Sequence, residues 1–299
     1  MIVLLSAPTN LGLEPPRPGS VPGAAKAPEA LREAGPFRRL AELGAHDGGV
    51  VLPGRYVDDD ADRPIHRVRN EQAMVEHARR LAMRIADVLC AGGAPLVVGG
   101  DCSVLLGAGV AMARRGGAGL VHVDGHTDFR NPGNSDRCAS VAGEDLAVAV
   151  GRHRPAIADI DGCGPYFEAA HAAHVGCRDD DAEVVEVRSL LGCVVPASEW
   201  RIRGTQAVAD AVLRVADVSG YWLQVDVDVL DPEVMPAVDS PDPGGCTADE
   251  LVELLRALAP RAVGASVTVF DPDLDPDGRY ARLVSDVVVD GLALLGSAL

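Results

Sequence analysis

Aromatic residues are scarce in this sequence, since Phe, Trp and Tyr together make up 3% of its 299 residues. Hydrophobic residues still make up 47% of the chain, so a sizeable core must be filled mainly by Ala, Val and Leu. No apolar run reaches the roughly 18 residues that a membrane-spanning helix requires. The composition therefore predicts a globular protein, and we expect a single domain over residues 1–299.

Basic residues are in deficit as well: 27 Lys and Arg stand against 44 Asp and Glu, which gives a formal net charge of −17. Such a surface repels phosphate backbones and anionic lipids. We therefore expect neither a nucleic acid nor a membrane as a partner. The acidity also has a simpler interpretation, which is a solvated anionic surface.

Paired cysteines are missing too. The seven cysteines are an odd number, scattered along the chain without a CxxC motif, which argues against a disulfide framework or a zinc knuckle. The chain begins MIVLLSAPTNLG, whose apolar run is too short for a secretory signal and lacks basic residues. We therefore expect a reducing, cytoplasmic location.

Short apolar runs alternate with amphipathic segments, which is typical of a parallel sheet covered by helices on both faces. The predicted strands are residues 2–6, 95–98, 119–123, 172–176, 184–187, 221–227 and 263–270. The predicted helices are residues 71–91, 207–215 and 249–258. Thr247 and Glu250 match a capping box at the start of the third helix. Residues 15–29 and 129–145 are predicted loops, and the second is long enough to carry function.

Acidic clusters follow two of these strands. Asp124, His126 and Asp128 alternate along one segment, and Asp226 and Asp228 alternate along another. Alternate residues of an extended chain point to one side, and ligands of open α/β sheets bind beyond the carboxyl ends of the strands. Carboxylates crowded together cannot all stay ionised unless a cation joins them. Oxygen-rich ligation with one imidazole suits Mn²⁺. The alternative is that each Asp only caps the loop that follows it.

These segments resemble the signature blocks of the arginase/agmatinase family of ureohydrolases. The matching stretches are 99–103 (GGDCS), 123–128 (VDGHTD) and 225–232 (VDVDVLDP) continuing to 243–245 (PGG), with weaker matches at 176–181 and 263–272. The resemblance implies a three-layer α/β/α domain with a mainly parallel sheet of about eight strands. It also implies a two-manganese hydrolase whose metal-bound hydroxide attacks a guanidinium or amidinium carbon of a small molecule. Trimers or hexamers are usual in that family, so a homo-oligomer is expected.

The resemblance also implies a role for each matching metal ligand. Asp124 and Asp226 would bridge two metals. Asp128 would bind one metal, whereas His126 and Asp228 would bind the other.

Three departures fall on functional positions. Cys102 stands where the family has its first histidine ligand, so that metal site is expected to be weakened, empty or shifted to another metal; the alternative is a buried thiol that only packs. Ala142 matches the loop histidine that moves protons, which an alanine cannot do. His153 is the nearest downstream histidine, but we expect it to be an exposed loop residue. Val269 aligns with the glutamate that pairs with the guanidinium, and Ser266 replaces an acidic residue earlier in that strand.

Two further residues are predicted to bind the substrate. Asp181 matches a family position that contacts the amino end of the substrate, and Arg130 lies in the predicted loop after Asp128. Opposite charges near the mouth favour a zwitterionic ligand. Two hypotheses follow: a metal-dependent hydrolase of a non-peptide C–N bond in a guanidino- or amidino-type molecule, other than ordinary arginase or agmatinase, or a catalytically inactive ureohydrolase-like protein that binds a metal or ligand. A third, complete loss of the metal, also stays open.

Overall fold

A computed structural model describes residues 1–299, and its centre is one sheet of eight parallel strands. The strands are β1 (Ile2–Ala7), β2 (His46–Val50), β3 (Ala94–Gly99), β4 (Gly119–Val123), β5 (Ala172–Val175), β6 (Cys193–Val195), β7 (Tyr221–Asp226) and β8 (Ala262–Thr268). Their order across the sheet is β2-β1-β3-β8-β7-β4-β5-β6. β3 and β4 are consecutive in the chain but are not neighbours in the sheet, because β8 and β7 lie between them.

Helices cover both faces of this sheet. They are α1 (Ala27–Ala34), α2 (Pro36–Glu42), α3 (Glu71–Cys90), α4 (Val104–Arg114), α5 (Asp145–Ala149), α6 (Pro155–Ala158), α7 (Val184–Leu190), α8 (Ala197–Arg203), α9 (Thr205–Ala216), α10 (Ala248–Leu258) and α11 (Arg279–Leu292). Helices α1, α2 and α8 to α11 pack against one face, and α3 to α7 pack against the other. No helix combines the length and the apolar composition needed to cross a bilayer.

Alternation along the buried strands explains the three layers. In β1, Leu4 packs into the core on one face of the sheet and Leu5 into the core on the other. Leu120 and Val121 of β4 are divided in the same way. Strands β3, β4, β7 and β8 are buried along their whole length, because both faces of a parallel sheet are covered by helices. The α/β fold class predicted from the sequence is confirmed.

Most predicted elements agree with the structure to within one or two residues, including all three predicted helices. The capping box is present as well: Thr247 accepts a hydrogen bond from the backbone N–H of Glu250, whose side chain accepts one from the backbone N–H of Thr247. The predicted strand at 184–187 is wrong, because this segment begins helix α7. Only Val187 of it is buried, whereas a central parallel strand is buried throughout.

The edge strands were missed. β2 has the sequence HDGGV and β6 has only three residues, so neither presents the apolar run that identified the central strands. The predicted loop at 15–29 is wrong at its end, where a 3₁₀ turn spans Gly23–Lys26 and α1 begins at Ala27. Pro28 fits there because the first helical turn has no need of its missing N–H.

Candidate metal centre

Four neighbouring strands, β3, β8, β7 and β4, end at one edge of the sheet. The polar residues that follow them therefore meet, although they lie far apart in sequence. The six residues predicted as metal ligands fall into three groups at this edge, two of which share a residue: Cys102, Asp124, His126, Asp128, Asp226 and Asp228. The roles assigned to them by the family resemblance stay predictions.

Two of the groups share Asp124. Cys102, Asp124 and Asp226 offer ligand atoms within 4.8 Å of one another, and so do Asp124, His126 and Asp228. Two cations held by these groups would therefore have Asp124 in common. Asp226 reaches only the group of Cys102, whereas the family resemblance predicts that it bridges both sites.

The strand-end carboxylates also cap their own turns, as the alternative interpretation expected. One oxygen of Asp124 accepts the backbone N–H of His126 at 2.7 Å, and one oxygen of Asp226 accepts the backbone N–H of Asp228 at 2.8 Å. The second oxygen of Asp124, Oδ2, is buried without any hydrogen-bond partner. An unpartnered buried carboxylate oxygen is costly, and a bound cation removes that cost. Capping does not explain this unpartnered oxygen, whereas a bound divalent metal would satisfy it.

Asp128 belongs to a third group, together with His122 and Asp145, whose ligand atoms also lie within 4.8 Å of one another. Neither His122 nor Asp145 is among the ligands predicted from the sequence. The signal for His122 was present, because the alternation of Asp124, His126 and Asp128 extends one step earlier to His122. Asp145 gave no comparable signal, since it follows a long loop and begins helix α5.

Burial and mutual repulsion act on these carboxylates in the same direction. Removal from water, together with the charges of neighbouring carboxylates, raises the pKa of Asp124, Asp128 and Asp226 well above the usual value. Without a cation, both effects favour the protonated form of these groups. A divalent ion must displace these protons, so its binding is coupled to proton release.

His126 and Asp228 form the exception. Burial alone would lower the pKa of His126, but the hydrogen bond from its Nδ1 to Asp228 (2.9 Å) and the charge of Asp228 raise that pKa to about 9. Burial alone would raise the pKa of Asp228, but His126 outweighs it and the pKa is lowered. Nε2 of His126 lies 3.1 Å from a carboxylate oxygen of Asp242 at the surface. A metal that binds this histidine must displace its proton too.

Cys102 is a neutral thiol in this arrangement. Its Sγ donates to Oδ2 of Asp226 at 2.8 Å and lies 3.2 Å from the hydroxyl of Thr268. Complete burial, reinforced by the charge of Asp226, raises the pKa of the thiol well above its usual value. Only a thiolate ligates a metal strongly, so the group that contains Cys102 is the least suited of the three to Mn²⁺.

A row of buried polar side chains crosses the sheet beneath the metal centre. His174, His122, Gln224 and Ser266 occupy matching positions on β5, β4, β7 and β8. The Nδ1 atoms of the two histidines are 3.0 Å apart, and Ser266 donates to Gln224 while accepting from the indole N–H of Trp222 at 2.9 Å. Because His122 and Gln224 precede the strand-end aspartates by two residues, this row lies on the same face as the centre.

The centre opens into an acidic cavity of about 290 Å³. Its charged lining is mostly anionic: Asp128, Asp181, Glu183, Asp226, Asp228, Asp239 and Asp242 are joined by one guanidinium, that of Arg130. A second cavity of about 410 Å³ with a more apolar lining, including Leu13 and Pro22, shares Arg130, Ala142 and Val269 with the first. The two cavities form a path that is anionic at the metal centre and less polar farther out.

The residues that depart from the family pattern fall in different places. Ala142 and Val269 line both cavities, so the changed positions face the space a ligand would occupy. Ser266 does not line them, because it is buried in the sheet. The expectation that His153 is exposed is wrong: its side chain is fully buried, with Nε2 3.1 Å from Oε2 of Glu144. His153 does not line the acidic cavity and cannot replace the missing loop histidine.

The two residues predicted to read a substrate both line the acidic cavity. The oxygens of Asp181 accept hydrogen bonds from the backbone N–H (2.9 Å) and hydroxyl (2.6 Å) of Thr127, which fixes the carboxylate at the wall. Arg130 makes no salt bridge and lies where the two cavities meet. Their substrate-binding roles stay predictions.

The fold and the centre together define a three-layer α/β/α protein with residues able to hold divalent metal at the ends of its parallel strands. The family model described as "Arginase family" matches residues 2–293. The chain therefore belongs to the arginase family, which confirms the resemblance noted in its sequence.

Relatives and solved structures agree with that assignment. Arginase from Brevibacillus brevis is 31% identical over 286 residues, covering 90% of this chain and 93% of that protein. Guanidinopropionase from Pseudomonas aeruginosa is 29% identical over 251 residues, covering 81% and 72%. The solved structure of arginase from Bacillus caldovelox superposes with a TM-score of 0.83 at 27% identity and covers 99% of this chain and 97% of that chain.

The raised carboxyl and imidazole pKa values predict that Mn²⁺ binds more tightly as the pH rises toward the His126 pKa of about 9. Each proton displaced by the metal contributes up to about a tenfold gain in affinity per pH unit. Titration calorimetry in buffers of different ionisation enthalpy measures both the affinity and the protons released. Asp124→Asn should release fewer protons than the wild type. An affinity that does not change with pH would contradict the prediction.

Proposed function

We propose that this protein is a metal-dependent hydrolase of a non-peptide C–N bond in a guanidino- or amidino-type small molecule, with Mn²⁺ as its metal. The observation that carries the proposal is the set of buried ligand groups around Asp124, next to an acidic cavity that His126, Asp128 and Asp228 line. The relatives named arginase and guanidinopropionase support a guanidino substrate. We further propose a single arginase-like domain over residues 1–299 that acts in the cytoplasm as a homo-oligomer, a trimer or hexamer.

In the proposed centre, some residues would hold the metal and others would orient the ligands. Asp124, His126 and Asp228 would hold one divalent ion, because they are oxygen and imidazole donors within reach of one another. Gly125 donates its backbone N–H to Asp228 at 3.0 Å and so orients that carboxylate. Divalent ions bound in such a centre polarise substrate oxygens or nitrogens and lower the pKa of coordinated water, which is the chemistry that hydrolysis needs.

The cavity walls suggest the orientation of the substrate. An amidine or guanidine end would enter the acidic cavity, where Asp239 and Asp242 favour positive charge. Arg130, at the junction with the second cavity, would hold a carboxylate, and Asp181 would hold an amino group. A zwitterionic small molecule matches these charges.

Ala142 and Val269 argue against ordinary arginine or agmatine as substrate. Both side chains line the cavity, and neither can carry a proton or pair with a guanidinium. A substrate whose amidine needs no carboxylate partner at that wall suits them better; hydroxyguanidino and formimino groups are examples. An arginase-like hydrolase that acts on hydroxyarginine is similar to this chain in having cysteine at the position of Cys102.

A second candidate function is a catalytically inactive family member that binds a metal or a ligand. The observations that favour it are the neutral thiol of Cys102 and the inert wall formed by Ala142 and Val269. This candidate binds the metal without catalysing a reaction, whereas the hypothesis of complete metal loss has neither metal nor catalysis. Elemental analysis of protein purified without added metal separates these two, since a stoichiometric transition metal excludes complete metal loss.

The proposed reaction predicts that Mn²⁺-loaded protein hydrolyses at least one compound from a panel of guanidino, hydroxyguanidino and formimino compounds. Urea, hydroxyurea, ammonia or formamide release is measured for each compound. Asp124→Ala and Asp226→Ala serve as controls, and the rate should fall to the background in both, because each removes a central carboxylate. If no compound is turned over faster than in these controls, the hydrolase proposal is wrong and the binding function stands.

The inert wall predicts a gain of function. Ala142→His combined with Val269→Glu should create arginine or agmatine hydrolysis, since a positioned general acid-base contributes roughly 10²- to 10⁴-fold. Position 269 has a φ of 76°, which a β-branched valine tolerates poorly, so glutamate fits this backbone at least as well. Product is measured by a urea assay.

The matched control for the gain of function is Ala142→Gln with Val269→Gln, which supplies similar volume without the imidazole or the carboxylate. Activity in the His–Glu variant but not in the Gln–Gln variant shows that the centre can drive hydrolysis. No activity in either would count against an intact centre.

The position of Arg130 predicts a selective effect on carboxylated substrates. Arg130→Gln should raise the KM of such a substrate on the order of 10- to 100-fold, the equivalent of one charge-assisted hydrogen bond. The KM of an analogue without the carboxylate should stay unchanged. Arg137→Gln is the control, because Arg137 lines a neighbouring cavity but not the acidic one. Equal effects on both substrates would exclude a carboxylate contact.

A further inference from the structure

His122 and Asp145 have properties that a role in packing alone does not explain. Both side chains are completely buried, and Nε2 of His122 lies 3.2 Å from Oδ1 of Asp145. The other oxygen of Asp145, Oδ2, is buried without a hydrogen-bond partner. Leaving such an oxygen unpartnered in the interior is costly.

The unpartnered oxygen of Asp124 lies in the same place. Its Oδ2 is 3.7 Å from Nε2 of His122 and likewise has no partner. Asp128 completes the arrangement, because its carboxylate lies within 4.8 Å of the ligand atoms of His122 and Asp145. His122, Asp128 and Asp145 thus form one ligand group, and Asp124 lies beside His122. Asp124 and Asp145 each carry a buried oxygen without a hydrogen-bond partner.

His174 holds His122 in an orientation that suits ligation. The two Nδ1 atoms are 3.0 Å apart, so one of them donates to the other. If the N–H belongs to His122, its Nε2 carries a free lone pair that faces Asp145. Histidines that ligate metals usually donate their other ring N–H to a fixed acceptor, and in that tautomer His174 would be the acceptor.

The group that contains Cys102 offers a poorer alternative for a second ion. A thiol is a softer donor than Mn²⁺ prefers, and this one donates its hydrogen to Asp226 at 2.8 Å and does not present a lone pair to that carboxylate. The group of His122, Asp128 and Asp145 supplies only oxygen and nitrogen donors, which Mn²⁺ prefers.

We propose that the second divalent ion of this centre is held by His122, Asp128 and Asp145, beside the free oxygen of Asp124, and not by Cys102. The inference rests on the proposed function in taking the first ion to lie at Asp124, His126 and Asp228. It assigns ligand roles to two residues that the family motifs do not include. It also places the second ion on the side of the centre where helix α5 begins.

Binding stoichiometry tests the inference without any substrate. Titration calorimetry and elemental analysis of the whole chain with Mn²⁺ should give two ions in the wild type and in Cys102→Ser. Asp145→Asn and His122→Gln should each give one. Asp101→Asn is the matched control, because this buried acid precedes Cys102 but its carboxylate accepts the backbone N–H of Gly12 and the hydroxyl of Ser103, and it should keep two ions.

Spectroscopy on the wild type covers the case in which a buried variant does not fold. Pulsed electron paramagnetic resonance of the Mn²⁺-loaded protein should detect two ligating imidazoles, those of His122 and His126. The Co²⁺-loaded protein should lack a thiolate-to-cobalt charge-transfer band. That band, a single imidazole, fewer than two bound ions in the wild type, or two ions in Asp145→Asn and His122→Gln would each overturn the inference.

The inference and the proposed function fail separately. Two ions with two imidazoles, but no turnover of any compound, would uphold the ligand assignment and reject the hydrolase. Turnover together with a thiolate-to-cobalt band would uphold the hydrolase and reject the assignment.

Discussion

Crowded carboxylates at the ends of parallel strands are the constraint from which the rest of this structure follows. The register of β4 with β7 brings Asp124 and Asp226 side by side, and burial makes each of them costly to ionise. The backbone helps with only one oxygen of each, through the N–H groups two residues later. Their second oxygens turn toward the centre, where a proton, the thiol of Cys102 or a cation must satisfy them. Capping and metal binding are therefore complementary uses of the same side chain.

The alternation that places the aspartates on one face of the sheet also places polar side chains two residues earlier in the same strands. Two residues before the aspartates, His122 and Gln224 occupy positions that are apolar elsewhere in these strands, and each has found a partner on the neighbouring strand. Buried polar networks are stable only when their members are satisfied. Helix α5 contributes Asp145 to this network, so the end of the long loop is tied to the floor of the centre.

The fold and the core of the site could be predicted because their signals are local. Continuous apolar runs identified the central strands, and the alternation after them identified Asp124, His126 and Asp228. Edge strands β2 and β6 could not be found, because pairing by a single neighbour requires no apolar run. Asp145 and the burial of His153 depend on how the 129–145 loop returns to the sheet, which no pattern within the loop encodes. The valines at 184–187 favour a strand by propensity, but only Val187 is buried and the segment begins helix α7.

The substitutions that separate this chain from its family act on two different parts of the molecule. Cys102 concerns the centre, where a neutral thiol stands in place of a histidine donor and where Asp145, grouped with His122 and Asp128, would supply a donor instead. Ala142 and Val269 concern the wall, which loses its proton carrier and its carboxylate without touching the centre. Because the residue changed at the centre differs from those changed at the wall, metal binding and substrate choice can change independently. A centre that keeps its carboxylate ligand groups behind an altered wall is what a change of substrate requires.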